Sequence, residues 1–191
     1  RADRELGERV ARALQHRGPD DTGVWIDSTG TPVTLANTRL AIIDLSSAGQ
    51  MPMVHADRGM VLTYNGEVYN FAEIRAELEQ RGHHFHSQSD TEVILNAYAQ
   101  WGDECVHQFR GMFAFLIWDR PRQRLFAARD RLGIKPLYWS ETANGLLLAS
   151  ELKAILSTGL IHPALDFHAL HHFLTFYAVP PPRTILQGVH A

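Results

Sequence analysis

Cysteine is almost absent from this sequence. Its scarcity limits which cellular compartment and which cysteine-based sites are expected. The 191 residues contain a single cysteine, Cys105. One thiol cannot form an internal disulfide or a thiolate metal cluster, and low cysteine content is typical of a reducing compartment. We therefore expect a cytoplasmic protein. Cys105 is expected to be structural, because a free cysteine commonly behaves as a small buried hydrophobic residue.

The sequence also has no excess of positive charge and no long hydrophobic run. Its 18 Lys and Arg residues are interspersed with 21 Asp and Glu residues, for a formal net charge of -3. Neutralising nucleic-acid phosphates requires a basic face, so no nucleic-acid partner is expected. The longest strongly apolar run covers residues 112–118. It is far shorter than the roughly 20 residues that cross a bilayer, so we expect no membrane partner.

A glycine-rich phosphate loop is missing, and no nucleotide or other cofactor is therefore expected in this domain. Histidines occur in two clusters, but a metal site needs a closed ligand set with supporting hydrogen bonds, which no neighbouring residues supply. We expect no metal site here. The two clusters are His83, His84 and His86, and separately His168, His171 and His172.

The patterns that are present predict an α+β domain. Helical spacing precedes residue 16 and recurs at 71–81, 90–101, 151–156 and 167–174, with Asn70 and Asp166 as expected N-caps. Strand-like apolar segments separated by turn residues predict three hairpins, at 23–27 with 33–40, 112–118 with 124–129, and 137–140 with 146–149. A further strand at 60–64 leads into Asn65. Because helices and hairpins come in separate runs, the sheets should be mostly antiparallel.

The Asn65-Gly66-Glu67 tripeptide is the first candidate for a functional site. Glycine lets the backbone approach a ligand closely, and the asparagine amide can donate a hydrogen bond beside it. Taken alone, an Asn-Gly pair is usually a turn, since both residues tolerate positive φ. Arg39 at a strand end and Asp90 at a helix start are further polar candidates.

Seven ordered blocks resemble the glutaminase half of class II, N-terminal-nucleophile glutamine amidotransferases of the asparagine synthetase type. Their span runs from His16 to about Leu156. The resemblance implies a four-layer αββα sandwich, which we place at residues 1–175, with 176–191 as an extended linker toward a C-terminal synthetase domain in cis. The blocks are residues 16–21 (HRGPDD), 39–45 (RLAIIDL), 65–70 (NGEVYN), 89–95 (SDTEVIL), 111–115 (GMFAF), 128–138 (ARDRLGIKPLY) and 149–153 (ASELK).

The resemblance also implies a role for each candidate residue in binding L-glutamine. Arg39 would hold the α-carboxylate, and Glu67 with Asp90 would face the α-ammonium. The Asn65 side-chain amide and the Gly66 N–H would form the oxyanion hole. Backbone groups of a short following segment would line the same pocket; they belong to Leu40, Ala41, Ile42 and Ile43.

The nucleophile that the family uses is an N-terminal cysteine whose own α-amino group acts as the base. It would lie upstream of Arg1, because Cys105 does not match its position, and we expect the 191-residue chain to be an inactive fragment. The complete protein is expected to pass the ammonia to an ATP- and Mg²⁺-dependent synthetase domain that amidates aspartate to asparagine. A homodimer is also compatible with the resemblance.

Two alternatives stay open at this stage. One is the glutaminase domain of another class II enzyme with a different acceptor, and the other is a nucleophile-lacking module that only binds glutamine or a partner. The loop residues Arg17, Asp20 and Asp21 could either cover the glutamine or form plain turn contacts. Arg129, Asp130 and Lys135 are expected to have a structural and coupling role.

Overall fold

The computed structural model describes residues 3–40 and 47–191, and the chain divides into two compact units. The first unit ends at Lys135 and the second runs from Pro136 to Ala191. Within the described residues, no helix combines the length and the apolar character needed to cross a membrane.

The first unit contains three helices and six strands in the residues described. Asp3 starts α1 by accepting hydrogen bonds from the N–H groups of Glu5 and Leu6, a capping role that the sequence analysis did not assign. The elements are α1 (Arg4–Leu14), β1 (Asp21–Asp27), β2 (Val33–Arg39), β3 (Met53–His55), β4 (Met60–Val68), α2 (Phe71–Gln80), α3 (Asp90–Trp101), β5 (Gly111–Asp119) and β6 (Arg124–Arg129).

The strands form two antiparallel sheets in the first unit. One is the β1-β2 hairpin and the other has the order β3-β4-β5-β6. The hairpins β1-β2 and β5-β6 confirm the sequence predictions, whereas the short β3 was not predicted. α1 lies so close to the first sheet that a Cβ on Gly7 would meet Val24 and Thr34. Helices α2 and α3 pack on the far side of the second sheet.

Two hydrophobic clusters separate these layers. Leu35, Val61 and Trp118 are buried between the two sheets. On the opposite face of the second sheet, the core includes Leu62 and Phe115 from the strands, packed with the helical residues Leu78, Ile94 and Leu95. The layer order is thus helix, sheet, sheet, helix, and the predicted mixed α and antiparallel β fold is confirmed.

Asn70 precedes α2 as predicted, but its side chain does not cap the helix. Its Nδ2 donates to the Gln108 carbonyl at 2.9 Å and its Oδ1 accepts from the Arg110 N–H at 2.9 Å. The capping prediction was wrong because two backbone partners across the fold satisfy the amide. Ser89 and Asp166, by contrast, do cap α3 and α5 (Phe167–Phe176).

The second unit consists of a hairpin, two helices and an irregular C-terminal segment. Strands β7 (Tyr138–Thr142) and β8 (Gly145–Ala149) pair as predicted, and α4 (Leu152–Ser157) and α5 follow. The segment after α5 is not the extended linker that we expected. The Arg183 N–H donates to the Pro180 carbonyl in a turn, and His190 pairs with Trp139 of β7. Backbone pairing with a strand edge outweighs the proline preference for extended chain. The division at residue 175 stays a prediction.

Candidate functional site

β4 carries the Asn65-Gly66-Glu67 tripeptide inside a regular strand, so it is not a turn. Asn65 lies opposite Ala114 and Gly66 opposite Phe113 of β5. Side chains alternate between the faces of a strand. Leu62, Tyr64 and Val68 face the helices, and Val61 faces the other sheet. Asn65 and Glu67 therefore share the face of Val61, between the two sheets.

Arg39 lies at the same end of the sandwich as this tripeptide. β2 runs alongside β4 in the same direction, because Leu35 packs with Val61 while Asn37, further along β2, contacts residues further along β4. The Asn37 Nδ2 donates to the Thr63 Oγ1 at 3.0 Å and to the Tyr64 carbonyl at 3.2 Å. Arg39 follows at the next position of the same face, and the strand order thus carries it toward Asn65 and Glu67.

Gly66 is the residue that the close packing of β4 against β5 requires. A Cβ at this position would collide with the Met112 carbonyl oxygen and lie 2.6 Å from the Phe113 Cα. The Tyr69 N–H donates to the Arg110 carbonyl. Successive residues of an antiparallel strand alternately bond to a given neighbouring strand and face away from it, so the Gly66 N–H, three positions earlier, points away from β5. On that other side, β3 pairs with β4 only as far as Leu62, among the strands described. The Gly66 N–H thus points away from β5, toward a part of the β4 edge that no described strand pairs with.

The Asn65 side-chain amide is a buried hydrogen-bond donor. Its Nδ2 has no hydrogen-bond acceptor among the residues that the structure describes. Native proteins rarely leave a buried donor unpaired, because the lost hydration costs about 1–3 kcal/mol. The Asn65 amide and the Gly66 N–H are adjacent donors, and such a pair can stabilise an oxygen that gains negative charge.

Asp90 approaches β4 from its helix-facing side. It is buried at the start of α3, and its Oδ2 accepts from the Tyr64 hydroxyl at 2.7 Å and the Val68 N–H at 3.0 Å. Burial raises the pKa of Asp90, and the charge of Glu67 raises it further; the bonds from Tyr64 and Val68 offset this only in part. Two acids close enough to influence one another favour a cation beside them.

Of the four residues after β2 that were predicted to line the pocket, the structure describes only the first. Leu40 is 55% exposed, so its side chain is available at the surface. Ala41, Ile42 and Ile43 lie outside the described residues, and their proposed lining role stays a prediction.

Cys105 has the properties of a structural residue. It is fully buried next to α3, and burial together with the charge of Asp103 raises the pKa of its thiol to about 12. A thiol with that pKa is protonated at neutral pH and is a poor nucleophile. The sequence-based assignment of Cys105 as a small buried hydrophobic residue agrees with this position.

The Asp130 region is also structural, as expected. Asp130 is buried, and four backbone N–H groups donate to its carboxylate, those of Phe113, Leu132, Ile134 and Lys135. Burial opposes ionisation, but these bonds outweigh it and hold the pKa of Asp130 below its usual value. Arg129 donates to the carbonyl groups of Lys135 and Gly133, both at 2.7 Å. Together the two side chains fix the loop after β6.

In the part of the chain described, no group of three or more His, Cys, Asp or Glu residues has a geometry that could hold a metal ion. His83 instead contacts Asn96 at 3.0 Å and Gln100 at 2.9 Å. His86 contacts Glu92 at 3.3 Å.

Sequence reasoning missed two residues of this region, Tyr64 and Asn37. Each is buried on a strand and makes a hydrogen bond to a residue more than twenty positions away. The available signal was position alone: Tyr64 precedes Asn65, and Asn37 lies two residues before Arg39. Alternation along a strand would have assigned both residues to the core.

Comparison with known proteins identifies the family. Residues 1–191 match the glutamine amidotransferase domain. The chain is 39% identical, over 98% of its length, to "Asparagine synthetase [glutamine-hydrolyzing] 3" of Bacillus subtilis, and it covers 30% of that protein. It is 40% identical, over 95% of its length, to a putative asparagine synthetase [glutamine-hydrolyzing] of Mycobacterium tuberculosis, and it covers 29% of it.

The fold is shared with a solved amidotransferase as well. The glutamine phosphoribosylpyrophosphate amidotransferase from B. subtilis matches with a TM-score of 0.69 at 19% identity, over 85% of this chain and 42% of that one. The chain thus spans about 30% of the length of the similar synthetases, and it belongs to the glutamine amidotransferase domain family.

Proposed function

We propose that this domain binds L-glutamine and hydrolyses its side-chain amide to glutamate and ammonia. The observation that carries the proposal is the buried Asn65 Nδ2, which has no acceptor among the described residues. Beside it, the Gly66 N–H points away from β5, toward an edge of β4 that none of the described strands pairs with. Two adjacent N–H donors suit a tetrahedral oxyanion, and binding it would offset the cost of the buried Asn65 amide that has no acceptor among the described residues.

Charged groups around the donors match the remainder of a free amino acid. Arg39 offers a planar guanidinium that can bind the α-carboxylate through two hydrogen bonds. Asp90 and Glu67 offer negative charge to the α-ammonium. The raised pKa of Asp90 supports this role, because a bound cation would relieve the burial and repulsion that now disfavour its ionised form.

The reaction that we propose proceeds through a covalent thioester. A cysteine thiolate upstream of Arg1, with its own α-amino group as base, attacks the amide carbon, and the carbonyl oxygen becomes an oxyanion held by Asn65 and Gly66. The C–N bond then breaks, and the nitrogen takes a proton and leaves as ammonia. Water hydrolyses the thioester through a second oxyanion, which releases glutamate and the thiolate.

In the complete protein we propose that the ammonia is used for amidation of aspartate to asparagine. The similar synthetases are about three times as long as this chain, which leaves room for an ATP- and Mg²⁺-dependent synthetase domain in cis. We also propose that the protein acts in the cytoplasm, in keeping with its single cysteine. We propose that the protein forms a homodimer.

The test is to incubate the complete protein with L-glutamine and to measure glutamate and ammonia together. We expect equal amounts of the two products, without a need for ATP in this half-reaction. Binding of glutamine without hydrolysis would favour the alternative of a glutamine-binding module. Hydrolysis that feeds an acceptor other than aspartate would favour another class II amidotransferase.

A further inference from the structure

Asn37 carries a second buried polar atom that finds no partner in the described part of the chain, and its side chain contacts Thr63 and Tyr64 of β4. The side chain is only 9% exposed, and its Oδ1 is buried without a hydrogen-bond donor among the described residues. Its Nδ2, by contrast, is satisfied by the Thr63 hydroxyl and the Tyr64 carbonyl. A buried acceptor that is left unpaired needs an explanation, because native proteins contain few.

The hydrogen bonds of Asn37 fix which end of its amide is unpaired. The Tyr64 carbonyl can only accept, so the atom 3.2 Å from it must be the donating Nδ2. The Thr63 hydroxyl donates to the Ala36 carbonyl at 3.3 Å and can therefore accept from Asn37. Rotating the amide by 180° would set two acceptors against one another at Tyr64. Oδ1 is thus the free end.

The free acceptor of Asn37 and the free donor of Asn65 lie on facing surfaces of the two sheets. The Tyr64 carbonyl that Asn37 contacts belongs to the peptide bond that links Tyr64 to Asn65. Asn65 projects from the same face of β4 as Thr63, which Asn37 also contacts. One acceptor and one donor, both buried and without a partner among the described residues, therefore belong to the same part of the inter-sheet space.

We propose that Asn37 is a specificity-determining residue that accepts a hydrogen bond from the side-chain amide nitrogen of glutamine. A primary carboxamide has an oxygen that accepts and a nitrogen that donates, and the pair Asn65 Nδ2 and Asn37 Oδ1 complements both. A carboxylate has no N–H and would set an oxygen against the Asn37 Oδ1, which disfavours the product glutamate. This inference rests on the proposed glutaminase function.

The test compares two substrates in the complete protein. L-glutamine has the amide N–H groups, whereas L-glutamate γ-methyl ester has the same carbonyl and no N–H on its leaving group. In Asn37→Leu we expect kcat/KM for glutamine to fall by about 10- to 100-fold, while kcat/KM for the ester stays within about 3-fold. If the leucine variant does not fold, Asn37→Ser replaces it, because serine also lacks the carbonyl acceptor but tolerates a polar environment. We expect the same changes in kcat/KM for this variant.

Asn37→Gln is the matched control, because its amide keeps both an acceptor oxygen and the N–H donor that the Tyr64 carbonyl requires. We expect it to retain the preference of the wild type for glutamine over the ester. Equal losses on both substrates in the leucine or serine variant would overturn the inference in favour of a structural role, and unchanged activity on both would overturn it as well. If the wild-type protein hydrolyses neither substrate, the proposed function itself fails, which is a distinguishable result.

Discussion

Two neighbouring regions of the second sheet use buried polar groups in opposite ways. In the loop after β6, Asp130 takes four backbone N–H donors, and its pKa is held below the usual value. Near the end of β4, the Asn65 donor has no acceptor among the described residues, and the pKa of Asp90 is raised. The first region satisfies its own groups and stabilises the fold. The second has a buried amide that finds no partner among the described residues, which supports the proposal that glutamine binds there.

The largest expected effect on activity distinguishes Asn65, in the proposed site, from Asn70, whose amide already has partners. Asn65→Ala should lower kcat/KM for glutamine by about 100- to 1,000-fold, because it removes one oxyanion donor. Steady-state kinetics on the complete protein measures this. Asn70→Ala is the control, since its amide already bonds to Gln108 and Arg110, and it should leave kcat/KM within about 3-fold. Comparable losses in the two variants would remove the distinction between the regions.

Asp130→Asn should cause the largest loss of stability. The substituted amide turns one acceptor into a donor that faces backbone N–H groups, so we expect a loss of about 3 kcal/mol locally. Hydrogen–deuterium exchange of peptides from β5 and the following loop in the complete protein measures it. Unchanged protection there would contradict the role assigned to the four hydrogen bonds.

The two acids should give pH dependences of opposite sign. The pKa of Asp130 is lowered by folding, so its stabilising effect is present above its unfolded pKa of about 3.9 and is lost as the pH falls through the folded value. The pKa of Asp90 is raised, so its ionised form destabilises the free protein above the folded pKa, and that penalty is absent below about pH 3.9.

It follows that Asp90→Asn should stabilise the free protein at neutral pH by about 1 kcal/mol while it weakens glutamine binding. The stabilisation should disappear as the pH falls toward 4. Hydrogen exchange at several pH values, with and without glutamine, checks both parts. A variant that is less stable than the wild type at pH 7 would contradict the raised pKa.

The smallest expected effect belongs to Tyr64→Phe. Its hydroxyl holds the Asp90 carboxylate from 2.7 Å, so its loss should raise KM for glutamine by about 3- to 10-fold with kcat nearly unchanged. Initial-rate kinetics over a range of glutamine concentrations separates the two constants. A fall in kcat with an unchanged KM would place Tyr64 in the chemical step instead of in binding.

Much of the fold could be predicted from the sequence because its signals are local. Alternation predicted the strands of the β1-β2, β5-β6 and β7-β8 hairpins, and helical spacing predicted α2 and α3. The three-residue β3 is too short for a pattern. The capping role of Asn70 failed because its real partners, Gln108 and Arg110, lie about forty positions away.

The candidate site shows the same division. The resemblance assigned roles to five residues, and strand direction brings Arg39 to the same end as Asn65 and Glu67. The five are Arg39, Asn65, Gly66, Glu67 and Asp90. Two other features depend on contacts between distant segments. Asp90 reaches β4 from the helix side, and Asn37 is held so that its acceptor finds no partner among the described residues. Such contacts leave no periodic trace in the sequence.

The most direct measurement is a crystal structure of the complete protein with L-glutamine bound, after the proposed cysteine nucleophile is replaced by alanine to prevent cleavage. We predict that the Asn65 Nδ2 and the Gly66 N–H lie within hydrogen-bond distance of the amide oxygen, with Arg39 on the α-carboxylate. Glutamine bound elsewhere, or an Asn65 amide that bonds to the protein's own chain in that structure, would contradict the account.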